Sequence, residues 1–200
     1  RTVKKSRRIP KEVARRAVIE GASAAVCEAY GIPVHWAERC EDAYHRAHDG
    51  TMESLEADCQ LEENGLIKNL DDKLTAIGSY GGGNHFGEAN IVHVEPTDEA
   101  RFIADTFGLR DKHVAFLSHC GSRGFGNVLA QNQFKAMQAH FDKWSIPYPG
   151  DDKELVYAPL GSPEANAYID DMSMGANFAS VNHLLINQLV LEAFQEVLPG

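Results

Sequence analysis

Two histidines of this 200-residue chain stand in glycine-rich surroundings that favour metal and phosphate chemistry. His85 follows Gly81–Gly83 and Asn84 in the stretch GSYGGGNHFGE, and His119 begins the stretch HCGSRGFGN. Neutral imidazole is a common protein ligand for divalent metals, and glycine lets a metal ion or phosphate approach the backbone closely. Either histidine alone would be interpreted as a hydrogen-bonded structural residue. The two together indicate metal-assisted phosphate chemistry.

Two charged residues near these histidines add binding capacity. Arg123 carries a planar guanidinium that matches phosphate oxygens in a bidentate arrangement. Glu88 offers a carboxylate either to a metal ion or to a nucleobase edge with two N–H donors. The glycine-rich turn around Arg123 lies between a predicted strand and a predicted helix, where free backbone N–H groups attract anions.

Other patterns are weaker. The stretch HCGSR places only two residues between Cys120 and Arg123, too few for the phosphate-binding loop of a cysteine-dependent phosphatase. A Walker-type loop is excluded because no Gly-Lys-Ser/Thr follows the glycine run. His45 and His48 lie three residues apart on a predicted helix and could share a metal, although a solvated helix face is the simpler interpretation.

Periodicity places these residues among helices and strands. Apolar spacing predicts a helix that starts at Pro10 and ends at Gly31, followed by a second helix over residues 35–48. The polar, turn-rich residues 49–72 are expected to wrap the surface. Strands are predicted over 73–80 and 85–95, on either side of the glycine run.

Strict alternation in the second of these strands would put His85 and Glu88 on opposite faces. We therefore expect a bulge at Gly87 that turns both side chains toward one site.

The second half of the chain alternates in the same way. Thr97 is the expected N-cap of a helix, a strand is predicted over 112–119, and a helix over 127–141 follows. A long helix is expected to start at Ser162 and run to residue 197. Small residues in it should let another backbone approach: Gly175, Ala176, Ala179 and Ser180.

Composition fits one globular α+β domain over residues 1–200, with antiparallel or mixed strands packed with helices. Hydrophobic residues make up 44% of the chain, and the net charge is −10. Residues 1–16 carry a net charge of +7, which leaves an acidic body that argues against nonspecific nucleic-acid binding. The four widely spaced cysteines indicate reduced thiols, and no apolar run suits a membrane span. A soluble, cytoplasmic protein is expected.

The stretches GSYGGGNHFGE and SHCGSRGFGN, in this order and at this separation, resemble the two central signatures of the RtcB-type RNA-splicing ligases. Weaker likeness extends over most of the chain. The resemblance implies a GTP- and Mn²⁺-dependent ligase that joins RNA 2′,3′-cyclic phosphate or 3′-phosphate ends to 5′-hydroxyl ends, through histidine–GMP and RNA 3′-guanylate intermediates. It also implies RNA partners such as tRNA halves and an archease-type activator, in tRNA splicing or RNA repair.

The resemblance assigns roles residue by residue. It makes His85 and His119 metal ligands, and it places Asn84 near metal and phosphates, in a catalytic and nucleotide-binding position. Phe86 and Glu88 match the nucleotide pocket, with Glu88 as the guanine reader. Arg123 matches an arginine of the RNA-phosphate site. Asn177 and Asn182 match polar positions of the long helix to which no role is assigned.

The chain also departs from the family pattern. Gly87 replaces a bulky aliphatic residue, Cys120 replaces serine, and His183 replaces arginine, which removes a fixed charge from the long helix. The family's other metal ligands and its GMP-accepting histidine have no match, so the chain is interpreted as the central part of a longer ligase and as inactive alone. Two alternatives remain open: a metal-dependent phosphoesterase that needs no GTP, and a degenerate, nonenzymatic RNA-binding paralogue.

Overall fold

The computed structural model describes residues 10–40 and 70–198, which form an α+β fold in which helices predominate. The predicted fold class is therefore confirmed. The helices are α1 (Lys11–Glu20), α2 (Ala24–Tyr30), α3 (Val34–Ala37), α4 (Leu70–Leu74), α5 (Asp98–Phe107), α6 (Arg123–Trp144) and α7 (Pro163–Val197), the strands are β1 (Phe86–Ile91) and β2 (Val114–His119), and a 3-10 turn covers Pro149–Asp151.

The single helix predicted between Pro10 and Gly31 is wrong, because the chain breaks into α1 and α2. Gly21 adopts a positive φ of 59° and its N–H donates to the Ala17 carbonyl, which ends α1. The Ser23 hydroxyl then accepts the N–H of Val26 and starts α2. Gly21 thus ends one helix and Ser23 starts the next, although the apolar periodicity continues across both.

The strand predicted over residues 73–80 is also wrong. Leu70 and Leu74 are fully buried on α4, and Ile77 follows them into the core from the turn beyond. Their spacing of four and three residues is helical, and it outweighs the short apolar run. Asp71 anchors α4 to α1 by accepting ion pairs from Lys11 and Arg15.

The helix predicted over residues 35–48 is described only at its start. Helix α3 ends at Ala37, and the described chain continues without helix to Cys40. Residues 41–69 lie outside the described residues, and they include His45, His48 and most of the polar segment expected on the surface.

The two strands pair antiparallel in a continuous register from Phe86 opposite His119 to Ile91 opposite Val114. Gly87 pairs with Ser118 one to one, so the bulge predicted at Gly87 is wrong. Helix α5 connects the strands, and the Thr97 hydroxyl accepts the N–H of Ala100, which confirms the predicted cap. The start of β1 therefore lies beside the end of β2.

The long helix α7 forms the central support of the described fold. Its predicted start is confirmed, because the Ser162 hydroxyl accepts the N–H of Ala165. A Cβ added at Gly175 would lie 3.8 Å from the Gly126 Cα, so α6 approaches α7 closely at small residues, as predicted. Phe125 of α6 stacks on Phe178 of α7 with ring centroids 5.6 Å apart.

One hydrophobic core joins α1, α2, α4, α6 and α7. Its fully or almost fully buried members include Ala17, Val18, Val26, Leu70, Leu74, Phe125, Met174, Phe178 and Val181. Within residues 10–40 and 70–198, we find no helix with the length and apolar character needed to cross a membrane.

Candidate functional site

The strand register brings the two sequence-predicted histidines together. His119 is the last residue of β2, and His85 immediately precedes β1, whose first residue pairs with His119. The two imidazole ring centroids are 5.8 Å apart, with an angle of 31° between the rings. Two residues separated by 34 positions thus share one end of an antiparallel strand pair.

A backbone contact orients the His85 ring. Its Nδ1 atom lies 3.1 Å from the Gly82 carbonyl oxygen. Because a carbonyl only accepts, Nδ1 carries the proton, and the lone pair of Nε2 is left for a ligand. A carbonyl that fixes the far nitrogen is a common arrangement for a metal-binding imidazole. The Nε2 atom faces Gly121 in the second glycine-rich stretch, 3.6 Å from where a Cβ would lie.

The histidine pair fits a divalent metal as part of its coordination sphere. Imidazole is a ligand for first-row divalent transition-metal ions, which need further ligands to complete their coordination. Among residues 10–40 and 70–198, however, no group of three or more His, Cys, Asp or Glu side chains could hold a metal ion. Within the described residues the histidine pair therefore supplies two imidazoles, which is fewer than a complete metal site requires.

One face of the strand pair carries two of the three residues predicted to bind a nucleotide. Phe86 stacks on His119 with ring centroids 5.6 Å apart, and the Phe86 side chain remains 45% exposed. Glu88 lies two residues further along β1, on the same face, and is exposed. Asn84 is exposed in the turn before His85. An aromatic ring and a carboxylate along one face can stack against and hydrogen-bond a flat ring.

Arg123 reaches across to the first glycine-rich stretch. Its Nη1 donates to the Tyr80 carbonyl oxygen at 2.8 Å, and a Cβ added at Gly81 would overlap the guanidinium. Arg123 itself has a φ of 56°, in the left-handed region that non-glycine residues seldom adopt. Such conformations cost about 1–3 kcal/mol and cluster at functional sites. Arg123 opens α6 four residues before its predicted start at residue 127.

The Cys120 thiol is buried beside the histidine pair. Burial raises the pKa of Cys120 to about 11, although a hydrogen bond with Ser118 and the charge of Arg123 oppose this. The thiol is therefore protonated at neutral pH and is a poor nucleophile. This agrees with the exclusion of a cysteine-dependent phosphatase.

His183 supports the turn after β2 from helix α7. Its Nε2 accepts the backbone N–H of Cys120 at 3.1 Å. Burial lowers the pKa of His183, and the nearby His119 and His85 lower it further. A neutral imidazole can accept this hydrogen bond, whereas the arginine expected at this position has no acceptor. His183 therefore anchors the turn, a contact that the sequence alone did not indicate.

The departure at Gly87 has a local explanation. A Cβ at Gly87 would overlap the Tyr80 hydroxyl and lie 2.6 Å from the Phe116 ring. The Tyr80 hydroxyl in turn lies 3.1 Å from the Ser118 hydroxyl on β2. The Tyr80 side chain thus occupies the space that an aliphatic side chain at Gly87 would fill.

We expect Gly87→Leu to destabilise the protein by about 1–3 kcal/mol, because the new side chain would overpack against Tyr80. Urea unfolding measures this loss. Adding Tyr80→Ala to Gly87→Leu should recover part of it, since the overlap with Tyr80 is then removed while the contact with the Phe116 ring remains. Equal stability of Gly87→Leu and the wild type would show that Tyr80 does not require this glycine.

The described fold and site define an α+β protein in which two histidines and an arginine converge at one end of an antiparallel strand pair. The chain belongs to the tRNA-splicing ligase RtcB family, whose family model matches residues 2–200. It is 36% identical over 190 residues to a tRNA-splicing ligase RtcB of Methanococcus maripaludis, covering 95% of this chain and 36% of that protein.

Two further relatives carry the same description. The chain is 35% identical over 178 residues to the Thermococcus kodakarensis protein, covering 89% of this chain and 33% of that protein. It is 36% identical over 148 residues to the Pyrococcus furiosus protein, covering 69% of this chain and 15% of that protein. The chain thus spans about a third or less of the length of these relatives.

Proposed function

We propose that this chain is the central part of a GTP- and Mn²⁺-dependent RNA ligase that joins 2′,3′-cyclic phosphate or 3′-phosphate ends to 5′-hydroxyl ends. Family membership supports a ligase, because the relatives are named tRNA-splicing ligases. The observation that carries the proposal is the convergence of His85, His119 and Arg123 from two distant glycine-rich stretches. With these roles, metal-binding and phosphate-binding groups would lie at the same end of the strand pair.

The histidine pair and Arg123 would have different roles in binding phosphate groups. His85 and His119 would hold Mn²⁺, which supplies positive charge that offsets the charge of phosphate groups. Arg123 would steady the RNA phosphate. Its Nε is buried without a hydrogen-bond partner among the described residues, and its Nη1 is held by Tyr80. The exposed amide of Asn84 would contact phosphate beside the metal.

Phe86 and Glu88 would bind GTP on the strand face that they share with His119. The Phe86 ring would stack on guanine, and the Glu88 carboxylate would accept its two N–H donors. In the proposed reaction a histidine accepts GMP, GMP passes to the RNA 3′-phosphate, and the 5′-hydroxyl then expels it. The histidine that accepts GMP has no match in this chain. The proposal further includes tRNA halves as substrates, an archease-type activator and a cytoplasmic location, to which the free thiols of Cys27, Cys40 and Cys120 are suited.

We expect Glu88→Ala, in the protein that contains this chain, to weaken GTP use far more than ATP use. A charge-assisted hydrogen bond contributes about 1.5 to 3 kcal/mol, equivalent to a roughly ten- to hundredfold loss. Single-turnover assays with each nucleotide measure the ratio. Asn90→Ala is the matched control, because Asn90 lies two residues along the same strand face. Equal losses for GTP and ATP would remove Glu88 from base recognition.

A sealing assay distinguishes the ligase from the two alternatives. RNA with a 2′,3′-cyclic phosphate end and RNA with a 5′-hydroxyl end are incubated with Mn²⁺, with and without GTP. The ligase gives joined product only with GTP. Phosphate release without GTP would indicate a phosphoesterase, and RNA binding without turnover would indicate a nonenzymatic paralogue.

A further inference from the structure

Asn182 joins the two glycine-rich stretches from the buried side of helix α7. Its side chain is fully buried, and its Oδ1 accepts the N–H groups of Gly78 and Ser79 at 2.7 and 3.2 Å. Its Nδ2 donates to the Gly121 carbonyl at 2.9 Å and also lies 3.3 Å from the Ser79 carbonyl. The amide oxygen therefore binds the first glycine-rich stretch, and the amide nitrogen binds mainly the second.

These bonds fix two segments that lead directly to the candidate site. Gly78 and Ser79 precede the glycine run that leads to His85, and Gly121 lies two residues after His119. The histidines themselves are partly or fully exposed, so close packing does not hold their rings in place. A metal ion tolerates ligand displacements of only about half an ångström. The strand register places the two rings side by side, and the Asn182 amide ties together the segments that flank them.

We propose that Asn182 is a positioning residue that sets the separation of His85 and His119 and thereby the affinity of the site for a divalent cation. The inference rests on the metal site of the proposed function. Because the carboxamide satisfies two N–H donors and a carbonyl together, no other uncharged side chain of similar size replaces it. Loss of the amide would leave these backbone groups unpaired and let the two segments separate.

Asn177 provides a matched control on the same helix. It is also fully buried, and its Nδ2 donates to the Val18 carbonyl near the end of α1 at 3.0 Å. It therefore ties α7 to α1, away from the histidine pair. Removing either amide leaves buried backbone groups unpaired, so both substitutions should reduce stability. Only the Asn182 substitution should change the metal site.

The test measures binding of Mn²⁺ alone to the protein that contains this chain, by calorimetric titration without GTP or RNA. We expect Asn182→Ala to lower Mn²⁺ affinity about tenfold or more, as substitutions behind metal ligands do, and Asn177→Ala to leave it unchanged. Hydrogen–deuterium exchange should accelerate at residues 78–85 and 119–123 in Asn182→Ala only. If Asn182→Ala does not fold, Asn182→Ser should show the same loss.

The Mn²⁺ affinities of the wild type and the two variants support or overturn the positioning role of Asn182. Equal Mn²⁺ affinity of the Asn182 and Asn177 variants would overturn the positioning role, and so would the absence of Mn²⁺ binding by the wild type. If the wild type binds Mn²⁺ and the Asn182 variant binds it more weakly, the inference holds even when no RNA is sealed. In that case the ligase proposal fails on its own.

Discussion

Alanine at His85 or at His119 is expected to lower Mn²⁺ affinity at least about a hundredfold, because each substitution removes one ligand of the proposed pair. Substitutions that only disturb the support of a ligand cost about ten- to a hundredfold, so the loss of a ligand should cost more. The rings lie 5.8 Å apart, and the Gly82 carbonyl holds His85 with its Nε2 available. Calorimetric titration with Mn²⁺ measures the effect.

His113 is the matched control for this experiment. It is exposed and immediately precedes β2, whereas His119 ends the same strand. The two positions are about 20 Å apart along the strand. His113→Ala should therefore leave Mn²⁺ affinity unchanged. Wild-type affinity in His85→Ala and His119→Ala would show that the pair does not bind the metal, and would return both residues to structural roles.

Much of the site followed from local sequence signals. An antiparallel pair places the start of one strand beside the end of the other, so histidines at those two positions must meet. The caps at Thr97 and Ser162 followed from side-chain hydrogen bonding that is encoded within a few residues. The caps depend on short-range chemistry, and the meeting of the histidines depends on strand pairing across 34 positions.

Two errors, at Gly21 and over residues 73–80, came from local signals that were overlooked, whereas the features below depend on tertiary contacts. Gly87 pairs one to one without a bulge, and it leaves room for the Tyr80 side chain, a contact that no spacing along the chain reveals. Arg123 adopts a positive φ although it is not glycine, and its side chain bonds a carbonyl 43 residues away. The supports supplied by Asn182 and His183 cross from α7 over more than 60 residues. Such long-range contacts need the folded structure.

The glycine run offers a second prediction because its three members differ in their surroundings. Gly81 has a φ of 85°, and an added Cβ would overlap the Arg123 guanidinium. Gly83 has a φ of 79° but open space around it. Gly82 has open space and no positive φ in the left-handed region. Alanine at these positions therefore separates the effect of crowding from the effect of backbone strain.

Gly81→Ala is expected to abolish RNA sealing in the protein that contains this chain, because the methyl group expels Arg123 from the Tyr80 carbonyl and from the proposed phosphate site. Removal of one positioned charge-stabilising donor typically costs about a hundred- to a thousandfold in rate. Gly83→Ala should lose about 1 to 2 kcal/mol of stability through its left-handed backbone and keep most of its activity, whereas Gly82→Ala should resemble the wild type.

Arg123→Lys should reproduce the sealing defect of Gly81→Ala without its strain, because an ammonium cannot replace the guanidinium fork. Enzyme guanylylation should persist in Arg123→Lys. Sealing rates, guanylylation with labelled GTP and urea unfolding measure the three properties separately. Normal sealing by both Gly81→Ala and Arg123→Lys would mean that Arg123 only fastens one glycine-rich stretch to the other, and that the phosphate is held elsewhere.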